Sequence, residues 1–80
     1  MSVPHDELWD AGDMGCGELV LLLRQKLRRM PGRTLKVIAR DPGAPADLPA
    51  FCRMTGDRLI AQEPDTYCYW IQARDRSAAA

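Results

Sequence analysis

Three cysteines and one histidine are the side chains here best suited to nucleophilic or metal chemistry. Cys16, Cys52 and Cys68 stand 36 and 16 positions apart, none in a Cys-x-x-Cys pair, and His5 lies near the terminus. That spacing does not assemble the four ligands of a tetrahedral structural zinc site, so no metal is expected, and no feature calls for a cofactor. A cysteine nucleophile acts as its thiolate, which must be exposed and is favoured by positive potential such as the start of a helix. Cys16 stands directly before a helix expected to open at Gly17, beside free amides and the positive end of the dipole. Asp13 and Glu18 bring negative charge to the same helix end, which steadies the helix but opposes a second anion. Position alone leaves two readings of Cys16 open, a nucleophile or a small residue filling a loop-to-helix junction. Cys52 shares an apolar stripe with Leu48 and Phe51 and reads as a buried small hydrophobe. Cys68 reads as exposed beside Trp70, itself either a docking residue or a ring lying flat on the sheet's outer surface.

Charge is the second feature with chemical meaning. Residues 1–18 hold Asp6, Glu7, Asp10, Asp13 and Glu18 with no lysine or arginine, whereas residues 19–40 hold seven basic residues and no acid. A solvated helix face accounts for part of this. The same cluster also makes a dock for partners, with Arg24, Arg28 and Arg29 as its candidate residues. A protein partner is favoured over RNA, because no aromatic residues interleave with the basic ones to stack on bases.

These groups need elements to position them. Leu19, Leu22, Leu23, Leu27 and Met30 recur at helical spacing, and Pro31-Gly32 ends that helix near Arg29. A short strand is expected from Glu7 to Ala11 around Trp9. A second runs from Thr34 to Arg40, with Leu35, Val37 and Ala39 inward. Asp41-Pro42-Gly43-Ala44-Pro45 reads as a turn, with Asp47 capping a second helix that buries Leu48, Phe51, Cys52 and Thr55 and stops at Gly56. On that reading Pro49 falls early enough in the helix to be harmless. Arg58–Glu63 and Tyr67–Arg74 read as strands of a hairpin joined by Pro64-Asp65-Thr66, with Tyr67, Tyr69 and Ile71 sharing one face. The order β-α-β-α-β-β makes an α+β fold, a two-layer α/β sandwich with two helices on one face of a four-stranded mixed sheet.

Eighty residues with no formal net charge and 46% apolar side chains suit one domain, taken as residues 1–76, with 77–80 as a frayed tail. A domain of this size buries roughly 60% of its unfolded surface, so neither a deep active site nor a small-molecule substrate is expected. The longest apolar run, Leu19 to Leu23, is five residues. Crossing a bilayer takes about 20, so no membrane span is expected. The first residues lack the basic start and apolar stretch of a secretory signal, which points to the cytoplasm and reduced thiols.

Trp9-Asp10-Ala11, Cys16 ahead of a leucine-rich helix, Arg40-Asp41-Pro42, Asp47-Leu48-Pro49-Ala50-Phe51-Cys52 and Gly56 together resemble the TusA/SirA-like sulfur carrier family. The resemblance runs from about Trp9 to Arg74 and implies the same two-layer sandwich. It also implies a persulfide carrier, or sulfurtransferase, in which Cys16 takes sulfur from a donor protein and passes it to an acceptor protein. The family opens its first helix with Cys-Pro-x-Pro; here the motif is Cys16-Gly17-Glu18-Leu19, with Asp13 replacing the glycine usual three residues earlier. The missing prolines motivate a second reading, a non-catalytic interaction or regulatory module that keeps the sandwich and binds partners through its basic helix.

Overall fold

The computed structural model describes residues 3–75, without the side chain of Cys16; the expected tail at 77–80 lies outside the described residues. In chain order the elements are β1 (Glu7–Gly12), α1 (Cys16–Arg28), β2 (Thr34–Ala39), α2 (Ala44–Thr55), β3 (Arg58–Glu63), a 3₁₀ turn (Pro64–Thr66) and β4 (Cys68–Gln72). The four strands form one mixed sheet in the order β1-β2-β4-β3. β1 runs parallel to β2, and β4 lies antiparallel to both of its neighbours.

Alternation along the strands sets which face the helices cover. Leu35, Val37 and Ala39 of β2 and Tyr69 and Ile71 of β4 point to one side. There they join Leu19, Leu23, Leu27 and Met30 from α1 and its end, and Ala44, Leu48, Phe51 and Cys52 from α2, in a single buried cluster. Leu19, Leu23 and Leu27 are fully buried, each contributing roughly 1.5–3 kcal/mol of transfer free energy. Leu22 is only half-buried, and the neighbouring Leu21 is exposed.

Two turns differ from the sequence expectation. α2 opens at Ala44 with Gly43 as its cap residue, so Asp47 falls inside the first turn and is not the cap. The capping work is done upstream, where the Gly43 amide donates to Asp41 Oδ2 at 2.9 Å and the Ala44 amide to the Asp41 carbonyl at 3.0 Å. Pro45 fits there because amides in the first turn have no helical acceptor to lose. The earlier start leaves Pro49 inside the helix, where it brings no N–H to the Pro45 carbonyl. At the hairpin, Tyr67 is exposed and left-handed at φ 62°, outside β4, because the chain must reverse through the 3₁₀ turn.

β4 is central, and four of its five residues, Cys68 to Ile71, are buried. Cys68 is therefore 9% exposed, contrary to the exposed position expected for it. Trp70 lies against the outer surface at 2% exposure, roofed by the Lys36 ammonium 5.3 Å from its ring centre. Across the sheet Trp9 is half-buried against the helix-side core, with the Lys26 ammonium of α1 5.2 Å from its ring centre. Among the described residues no helix is long and apolar enough to cross a membrane.

Candidate functional site

The approach to Cys16 is set by the end of β1. The register with β2 shifts between Asp10 and Gly12, and Gly12 takes a left-handed conformation at φ 61° that side chains rarely adopt. Its amide donates to Asp10 Oδ1 at 2.8 Å and its carbonyl accepts from the Arg40 amide at 3.1 Å. Asp10 also meets Arg40 in an exposed ion pair at 3.3 Å. The Met14 amide then bonds back to the Ala11 carbonyl, and the half-buried Met14 side chain packs on the core. Gly15, extended at φ −68° and ψ 155°, is the cap residue of α1.

Cys16 is thus the first residue of α1, one position earlier than the sequence suggested; its side chain lies outside the described part of the structure. The first helical bond runs from the Leu19 amide to the Gly15 carbonyl, at 2.9 Å. Gly15 has no side chain to cap the helix start. Amides at a helix start that lie ahead of that bond favour an anion placed beside them, and Glu18 in the same turn works the other way.

The other two thiols are enclosed. Cys52 is 4% exposed, and burial, with the Asp57 carboxylate second, pushes its thiol from 9.0 up to about 11. Cys68 Sγ donates to the Thr66 carbonyl at 3.3 Å. Neither presents a nucleophile to another protein.

The basic residues divide. Arg24 and Arg28 line an open cleft of about 290 Å³ together with Met54 and Thr55 at the end of α2 and Arg74 after β4. Arg29 does not line it; this residue is the C-cap of α1, its amide bonded to the Lys26 carbonyl. Sequence reasoning missed Arg74 and the group behind it. Asp57, only 6% exposed, accepts from the Thr55 hydroxyl at 2.6 Å and from the Arg74 amide at 2.7 Å. A polar residue wedged between Gly56 and Arg58 was the available signal for a buried carboxylate. The expected hairpin brings the two ends together, but does not show that the Asp57 carboxylate takes the Arg74 amide 17 positions on.

Comparison with known proteins gives a consistent picture. The sequence model of the family described as Sulfurtransferase TusA matches residues 8–73. A protein named Sulfur carrier protein TusA from Pseudomonas paraeruginosa (strain DSM 24068 / PA7) is 42% identical over 77 residues, covering 92% of this chain and 98% of that protein. Its namesake from Pseudomonas aeruginosa (strain LESB58) is 42% identical over 72 residues, covering 86% of this chain and 91% of that one. Another, from Pseudomonas entomophila (strain L48), is 40% identical over 73 residues, covering 88% and 91%.

Proposed function

This chain belongs to the TusA sulfurtransferase family, and from that premise we propose that it is a small sulfur carrier relaying persulfide sulfur between protein partners through Cys16. The observation that bears most weight is the state of the other thiols. A carrier sulfur must be touched by both donor and acceptor, and Cys52 and Cys68 are buried. Cys16 remains, at the opening residue of α1 and inside the matched span.

The relay needs no net oxidant. The Cys16 thiolate attacks the outer sulfur of a donor's persulfide, forming a new S–S bond while the donor's cysteine leaves as its thiolate. A thiolate of the acceptor then attacks the outer sulfur now held on Cys16, and Cys16 departs as thiolate, ready for another cycle. The helix start favours the anionic form at both the attacking and the leaving stage. Docking falls to the basic face of α1, where Arg24, Arg28 and Arg29 offer charge to acidic protein surfaces. We place the carrier in the cytoplasm, where its thiol would stay reduced.

The test is incubation with a cysteine desulfurase and free cysteine, followed by intact mass measurement. The wild type should gain the mass of one sulfur atom, removable by reductant, and Cys16→Ser should gain none. An unmodified Cys16 in folded, reduced protein would sink the proposal.

A further inference from the structure

We propose that Arg74 joins Arg24 and Arg28 as the third anchor of a docking cleft that receives the carboxylate side chains of an acidic protein segment. The inference deepens the carrier reading above and rests on it, since it specifies where a partner holds the molecule. Three different parts of the chain converge there: α1 brings Arg24 and Arg28, the end of α2 brings Met54 and Thr55, and the segment after β4 brings Arg74. Among the described residues none of these guanidinium groups takes part in an ion pair, and the carboxylate behind the walls, Asp57, is engaged by the Thr55 hydroxyl and the Arg74 amide. Planar guanidinium forks suit carboxylates, which they can bind through two parallel hydrogen bonds.

The walls are fixed before any partner arrives. One buried carboxylate, Asp57, binds both the Thr55 hydroxyl on one wall and the Arg74 amide on the other. Between them Gly56, left-handed at φ 84°, lies so near the Arg74 stem that a Cβ there would sit 3.1 Å from Arg74 Cδ. Ordering costs at the backbone are therefore met in the folded state, which favours binding.

A protein ligand fits better than a nucleic acid. Among the described residues the lining has no aromatic ring on which a base could stack. Its apolar member is Met54, 86% exposed, a flexible thioether suited to an apolar side chain set among acidic ones. The cleft also lies within reach of the helix start: Arg24 follows Cys16 by eight positions, about 12 Å along the helix axis.

Fluorescence anisotropy with two labelled probes tests this, a synthetic glutamate-rich peptide carrying one leucine and a single-stranded oligouridylate of matched charge. The wild type should bind the peptide in preference. Arg74→Gln should weaken it roughly threefold, as Arg24→Gln and Arg28→Gln do, with Arg74→Lys intermediate. Melting curves by circular dichroism check that each variant is folded. Undetectable binding by the wild type, preference for the oligouridylate, or equal binding by Arg74→Gln would overturn the proposal. Loading of Cys16 with sulfur is read separately by mass. Peptide binding that depends on Arg74 in a protein that takes no sulfur sinks the carrier reading alone; sulfur loading with peptide binding indifferent to Arg74 sinks the anchor alone.

Discussion

With its thiol raised to about 11, Cys52 stays protonated throughout the neutral range, and it does so because burial and the nearby Asp57 both penalise the thiolate. The folded value exceeds the unfolded one, so the native state holds this proton longer. The resulting stability is fully present below about 9 and is lost as pH rises toward 11, at most roughly 2–3 kcal/mol. The advantage of wild type over Cys52→Ala in urea denaturation should therefore shrink between pH 8 and pH 11, and a constant difference would contradict the assignment. The burial of Cys52 was legible in the sequence because helical spacing ties it to Leu48 and Phe51. That of Cys68 was not, since alternation assigns a face but not whether a strand is central or at an edge. Arg74 was missed for another reason: the expected hairpin sets Asp57 beside the end of its second strand, but pairing alone does not say that the carboxylate turns inward onto the Arg74 amide.

Among the elements, α1 is the most strongly determined, and the sequence showed it almost entire because a leucine stripe at helical spacing can be buried on only one side. Its weak point is the opening turn. Gly17 lies in the helix with nothing within 4 Å of where a Cβ would stand, so a side chain fits there without displacement. Gly17→Ala should stabilise the protein by roughly 0.5–1 kcal/mol by removing backbone freedom from the unfolded chain, measured as a raised melting temperature. A neutral or destabilising result would mean that the opening turn departs from ordinary helix. The start of α2 was misread for a physical reason. Asp41 and Asp47 are both short acceptors near prolines, and the two differ only in which free amide each reaches, a matter of turn geometry rather than of residue type.

At the level of the whole molecule, the order β-α-β-α-β-β and the two layers could be read from periodicity and punctuation. The lateral order β1-β2-β4-β3 could not, because nothing in a hairpin's own sequence says which strand faces inward. That order carries β4 beside β2 and delivers Arg74 to the arginines of α1. Surface arginines in an open cleft are screened by salt, so affinity for the glutamate-rich probe should fall steadily as ionic strength rises from about 0.05 to 0.5 M. Salt-independent binding would point to an apolar contact instead. The sheet also separates the two indoles, Trp9 on the helix-covered side and Trp70 on the bare one, each beneath a lysine ammonium. The protein thus carries its own pair of optical reporters, one for each side of the slab. Variants retaining a single indole turn ultraviolet emission into a label-free readout of which flank an incoming molecule has chosen.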